Sequence, residues 1–206
     1  MAFFGLFKRK RPISEPKDLA DFIDEHAAFL MQKGIYEYSR ARAGPHANKM
    51  MTEPDFLKSS ELSRWRAYPL GLTMLGEMVE GVLRPHAGAD KRAFTDDFID
   101  LVLSVFDRYP VPPPIGKEAW LDARSALALS VDQVSLHPPK RVIDIPEQYV
   151  ERYFNMMPIH KDMLTRDVGT TLAFLKLNLA NMHDDLTNRM NAAEMVEKMR
   201  KAAAES

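Results

Sequence analysis

The 206-residue chain is 46% hydrophobic and 28% charged, a balance typical of a single globular domain rather than of a disordered or membrane-embedded chain. Its 28 lysines and arginines nearly cancel 29 aspartates and glutamates, so no strong positive field would attract nucleic acid, and no nucleic-acid partner is predicted. The lack of cysteine excludes disulfides and thiolate chemistry, and it favours a reducing compartment, with the cytoplasm as the predicted location.

The chain begins with an apolar stretch that runs directly into four cations. These residues form the candidate membrane-contact set Phe3, Phe4, Leu6, Phe7, Lys8, Arg9, Lys10 and Arg11. Insertion of apolar side chains into the membrane and attraction of the cations to anionic lipid would both favour binding. A secretory signal is not predicted, because its basic residues come before its apolar ones, the opposite of the order found here. Residues 1–13 are therefore predicted to contact the inner membrane surface, and a frayed or packed terminus is the alternative.

Three helices are predicted to begin with one shared device, a small polar residue followed by a spacer and proline. The device occurs at residues 14–16, 52–54 and 144–146, and Glu147 is placed to complete a capping box with Asp144. Proline in the first helical turn loses no intrahelical hydrogen bond, because its N–H would have had no partner there.

Helical spacing between the prolines predicts about seven helices. Pro69 is expected to break or kink the second helical run, and residues 141–143 are interpreted as an extended loop. The predicted helices cover residues 14–42, 54–68, 70–83, 90–109, 117–136 and 146–157, followed by a long C-terminal helix.

The C-terminal helix has the strongest periodic pattern in the chain. Its apolar side chains alternate steps of four and three residues and form the seam Val168, Leu172, Leu175, Leu179, Met182 and Leu186. Such a seam packs against another helix, and homo-oligomerisation through it is predicted. Residues 14–188 are thus predicted to form an all-α, single-domain helical bundle with proline-marked breaks, and residues 189–206 a polar amphipathic tail that projects.

Common catalytic signatures are missing from the sequence. There is no G-x-S-x-G elbow, no phosphate-binding glycine loop and no Glu-x-x-His pair, so serine-hydrolase, nucleotide-binding and di-iron chemistries are disfavoured. No cofactor is predicted. The one candidate metal cluster combines His160 and Asp162 with His183 and Asp184. The alternative interpretation of His183 and Asp184 is that they lie on a solvent-exposed helix face and bind no metal.

Two other polar groups have structural interpretations. His26 lies among apolar positions of the first helix and is interpreted as a core-edge histidine bonded to a carbonyl or carboxylate. Trp65 is expected to face the core, while Arg64 and Arg66 splay outward and leave no base-stacking platform.

The favoured function is that of a non-enzymatic helical accessory or adaptor protein. It would act through contacts with a protein partner, in the cytoplasm and peripherally at the inner membrane. One alternative is a helical protein that binds a lipid or isoprenoid ligand, since its 13 methionines suit a deformable cavity. A second alternative is a metal-dependent hydrolase using the His/Asp cluster.

Overall fold

The computed structural model describes residues 11–159 and 168–204, and within them the chain is helical and contains no strand. The predicted all-α fold is confirmed, with eight α-helices in the described part where about seven were expected. The helices are α1 (Pro16–Ala43), α2 (Ala47–Met50), α3 (Pro54–Leu83), α4 (Lys91–Phe106), α5 (Lys117–Ser135), α6 (Val150–Phe154), α7 (Val168–Arg189) and α8 (Ala192–Ala204). Short 3-10 helices cover Gly44–His46, Arg84–His86 and Val142–Gln148.

Two of the three predicted proline starts are confirmed, because α1 begins at Pro16 and α3 at Pro54. At the first start the cap differs from the expected one. The backbone N–H groups of Ser14 and Glu15 both donate to the Asp18 carboxylate, at 3.1 and 3.0 Å. The acidic side chain of the first turn therefore caps the N-terminus of α1.

The third proline start is wrong. Pro146 lies inside the 3-10 helix Val142–Gln148, which also replaces the extended loop expected at residues 141–143. The Asp144 carboxylate is held by Arg141 at 2.7 Å instead of capping a helix, and α6 begins only at Val150.

Pro69 does not end a helix, since α3 runs without a break from Pro54 to Leu83. Proline inside a helix removes a hydrogen bond and costs about 3 kcal/mol. That loss is offset here by tertiary packing, because every residue from Leu70 to Glu80 is buried. At 30 residues, α3 is the longest helix in the described part of the chain.

The core is organised around α3. Helix α1 packs on α3, α4 and α7, and α5 packs on α3 and α4 from the other side. The seam of α7 lies against Val142–Gln148, α6 and α1, with Leu175, Leu179 and Leu186 completely buried. Its apolar side chains are therefore used within the chain, and they no longer supply an argument for self-association through this helix.

The C-terminal segment does not project over residues 192–204. After α7 ends at Arg189, Met190 forms a parallel bridge with Ile13, and α8 turns back onto α3 and α4. Met195, Val196 and Met199 are buried in the same core as α1. The sequence pattern suggested a polar helix surrounded by solvent, but burial of this apolar face is more favourable than its exposure.

Candidate functional site

The predicted membrane-contact residues lie almost entirely outside the described part of the chain. Of the set, Phe3, Phe4, Leu6, Phe7, Lys8, Arg9 and Lys10 are not described. Arg11 is exposed, and its carbonyl oxygen accepts a hydrogen bond from Arg189 Nε at 2.8 Å. Two residues later, the Ile13 N–H donates to the Arg189 carbonyl at 2.9 Å. The last residues of the predicted membrane segment, from Arg11 to Ile13, are thus fixed at the α7–α8 junction.

The candidate metal residues are only half described. His160 and Asp162 lie outside the described residues, while His183 and Asp184 are neighbours on α7, with Nδ1 and Oδ1 3.4 Å apart. Asp184 is largely exposed. Within residues 11–159 and 168–204, no three histidines or carboxylates come together to hold a metal ion. The metal-hydrolase hypothesis stays a prediction.

The structural interpretations of His26 and Trp65 are both confirmed. His26 is half-buried, its Nδ1 lies 2.9 Å from the Phe22 carbonyl oxygen, and its ring stacks on Phe22 at 4.0 Å. Trp65 is half-buried, and Arg64 and Arg66 are exposed. These groups belong to ordinary packing at the edge of the core.

Two buried carboxylates that the sequence did not single out lie one turn apart on α3. Glu77 accepts hydrogen bonds from Lys140 Nζ at 2.7 Å, Gln148 Nε2 at 2.9 Å and the Tyr149 hydroxyl at 2.8 Å. Burial raises the pKa of Tyr149 above its usual value, and the neighbouring Glu77 charge raises it further. Glu77 thereby holds the α5–α6 connection onto α3.

Glu80 is completely buried and forms a two-point ion pair with Arg84, in which Nη2 and Oε2 are 2.6 Å apart. The same guanidinium donates to the carbonyl of Val134 at 2.8 Å and to that of His137. Val134 lies in the last turn of α5 and His137 two residues beyond its end, where a cation is favoured by the helix dipole. The pair therefore fastens the C-terminal end of α5.

A cleft of about 600 Å³ lies between α3, the end of α5 and the 3-10 helix that follows, and both carboxylates line it. Each carboxylate is already neutralised, Glu77 by Lys140 and Glu80 by Arg84. A buried charge is costly unless an opposite charge or hydrogen-bond donors lie against it, and both carboxylates meet this requirement. The sequence signal for it is the pair of acids inside the apolar run from Leu70 to Leu83.

A third carboxylate joins α1 to α3 and to the segment that follows α4. Asp24 accepts from the hydroxyl of Tyr68 at 2.8 Å and from that of Tyr109 at 3.0 Å, and Arg108 Nη1 lies 3.3 Å away. Burial, together with the hydrogen bond to Asp24, raises the pKa of Tyr68 far above its usual value. The tyrosines also pack edge-on against Trp65, so this cluster is a structural joint.

The methionines that suggested a lipid cavity are mainly packing residues. Those buried in the core are Met31, Met74, Met78, Met157, Met182, Met190, Met195 and Met199. The cleft between α3 and α5 is lined in part by charged groups, which do not suit an apolar ligand. The lipid-binding hypothesis stays a prediction.

One side of α1 exposes large apolar side chains among charged ones. Phe29 is 43% exposed and Tyr36 50% exposed, and the Lys33 ammonium lies 5.1 Å from the centre of the Phe29 ring. Glu25 and Arg40 lie at the two ends of the same stripe, because the positions recur at three- and four-residue steps. We call Glu25, Phe29, Gln32, Lys33, Tyr36 and Arg40 the α1 face.

A second apolar stripe lies on α5. Leu121, Leu129 and Leu136, at the end of the helix, are 49%, 57% and 70% exposed and recur at steps of eight and seven residues. With Ser125 between them, they form what we call the α5 face. Helices α1 and α5 are separated by α3 and α4, on which both pack. Two apolar surfaces are thus presented on different helices.

In the part of the chain that the structure describes, no helix is both long enough and apolar enough to cross a membrane. Comparisons with protein-family models, with curated proteins and with solved structures found no match. Among the described residues, the α1 face and the α5 face are the candidate interaction surfaces.

Proposed function

We propose that this protein is a non-enzymatic helical adaptor that acts through protein contacts, in the cytoplasm and peripherally at the inner membrane. The observation that supports the proposal is the pair of exposed apolar surfaces, the α1 face and the α5 face. Single exposed leucines are normal on protein surfaces, but apolar side chains that share one helix face are typical of interaction sites. Two such faces on different helices suit a protein that joins two binding events.

The α5 face has the features of a docking surface for a partner helix or sheet. Only Trp120, Leu127 and Val131 of α5 are buried in the chain's own core, so much of the helix surface remains available. Full burial of a leucine side chain contributes about 1.5 to 3 kcal/mol, and the half-exposed leucines of this face would add part of that amount each. Several of them together supply a reversible contact.

Replacing Leu121 and Leu129 with serine is expected to release a partner without unfolding the chain, because both side chains already contact solvent. Quantitative affinity purification from native membranes, with wild type and variant compared, measures this. The matched control is Leu177→Ser on α7, which removes an exposed leucine from another helix. Identical sets of co-purified proteins for the wild type and the double variant would contradict the proposal for the α5 face.

Deleting residues 2–10 is expected to lower binding to anionic membranes by about tenfold or more, since each lysine or arginine near anionic lipid contributes about 1 kcal/mol. The deletion leaves Arg11, whose carbonyl accepts from Arg189. Co-sedimentation with vesicles of phosphatidylcholine and phosphatidylserine checks the loss, and vesicles of phosphatidylcholine alone are the control. Equal sedimentation of the full and shortened chains would remove the membrane part of the proposal.

A further inference from the structure

The α1 face combines exposed apolar groups with two free charges at its ends. Its members lie within an arc of about 100° on the helix. Glu25 and Arg40 are both exposed, and neither side chain makes a hydrogen bond or ion pair with any residue of the described ranges 11–159 and 168–204. The face thus carries a negative charge at one end, a positive charge at the other, and the aromatic groups and the Lys33 ammonium between them.

The order of these residues is self-complementary. A two-fold axis that passes between Gln32 and Lys33 places Glu25 opposite Arg40 and Phe29 opposite Tyr36 of an antiparallel copy. Each pairing occurs twice in such a dimer, because the same patch is used on both subunits. We infer that the α1 face binds a second copy of this chain, in an antiparallel dimer with α1 packed against α1.

Clefts on both sides of α1 would receive the second copy. One, of about 470 Å³, lies between α1 and α3 and is lined by Phe29, Tyr36 and Arg64. The other, of about 290 Å³, lies between α1 and α7 and is lined by Phe29 and Met182. Aromatic side chains of the partner copy would enter these clefts, so the contact extends beyond the two helices.

Charge complementarity favours a second copy as the occupant of the α1 face. An anionic membrane would repel Glu25 while it attracted Lys33 and Arg40, so the charges of the face do not match a lipid surface along its whole length. In the antiparallel dimer Glu25 instead meets Arg40 of the partner copy. An interface centred on one helix of each copy, even with the adjoining clefts, is small for a specific complex, so the dimer is expected to be reversible and to dissociate on dilution.

This inference rests on the proposed function only in treating the α1 face as a protein-contact surface. It requires neither the α5 face nor a membrane. Its test therefore uses the purified full-length chain alone, in a dilution series by sedimentation velocity and light scattering. Monomeric wild type together with loss of a native partner from the α5-face variant would overturn the dimer and leave the proposed function intact.

The decisive variants reverse the two end charges. Glu25→Arg or Arg40→Glu alone places like charges opposite one another twice in the dimer, and each is expected to weaken dimerisation by about tenfold. The combined E25R/R40E variant restores opposite charges and is expected to regain dimerisation to within about threefold of wild type. Such rescue cannot arise from misfolding of the single variants.

The matched control is Glu118→Arg, an exposed charge reversal on α5 that should leave the dimerisation constant unchanged. A wild-type chain that stays monomeric at the highest accessible concentration would overturn the inference. A dimer that both single reversals leave intact would also overturn it, as would a combined variant that remains as weak as either single variant.

Discussion

Replacing Glu80 with alanine is expected to lower the free energy of unfolding by about 3 kcal/mol, one of the largest effects of any single substitution proposed for this chain. The substitution leaves the Arg84 guanidinium partly buried without its carboxylate partner. The guanidinium would keep its hydrogen bonds to the carbonyls of Val134 and His137, and this places the loss at the lower end of the range for a broken buried pair. Urea-induced unfolding followed by circular dichroism measures the change.

The control for the Glu80 experiment is Glu61→Ala, an exposed glutamate in the interior of α3 whose loss should change stability by less than about 0.5 kcal/mol. Replacing Glu80 with leucine and Arg84 with methionine together removes both charges and should be less destabilising than Glu80→Ala. An unchanged unfolding midpoint for Glu80→Ala would show that the ion pair does not hold α5 to α3.

Replacing Gly34 with alanine is expected to destabilise the protein by about 2 kcal/mol, although alanine is ordinarily the better helix former by about 1 kcal/mol. A methyl group there would meet the Tyr153 hydroxyl oxygen at 2.2 Å and Phe174 Cε1 at 3.0 Å. The tyrosine cannot move away freely, because it is buried and its hydroxyl donates to the Met31 carbonyl at 2.8 Å. Urea-induced unfolding again measures the effect.

A double-mutant cycle isolates the collision at Gly34. Tyr153→Phe removes the atom that the new methyl group would meet, so Gly34→Ala is expected to be less harmful in the Tyr153→Phe background. Gly169→Ala is the matched control, because a methyl group there meets nothing within 4 Å. If the two substitutions are additive, the close approach of α1 to Tyr153 is not what requires glycine at position 34.

Local patterns predicted those parts of the fold that local chemistry controls. Proline at the first helical turn marked the starts of α1 and α3, and apolar spacing predicted a buried face for α7. The helix break predicted at Pro69 does not occur, because the free energy that proline costs a helix is smaller than that gained by burying the residues that follow it. The helix start predicted at Pro146 is also wrong, and the expected cap, Asp144, pairs with Arg141 instead.

The candidate surfaces could not be predicted, because exposure depends on which elements pack together. Leu121 directly follows the buried Trp120, yet it lies on the exposed α5 face. Met195 and Met199 belonged to a segment expected to project, yet they are buried. Helical periodicity defines a face of each helix, but it does not indicate whether another helix covers that face.

The sequence by itself determined that this chain is a helical protein without cysteine chemistry and without a global charge for nucleic acid, because composition, capping and 3.6-residue spacing are local properties. Only the tertiary structure decided how the acids and helix faces are used. It paired Glu77 with Lys140 and buried one face of α8 against α3 and α4, since these contacts join residues far apart in the chain. It also left the α1 and α5 faces open, and that exposure is the physical basis of both functional proposals.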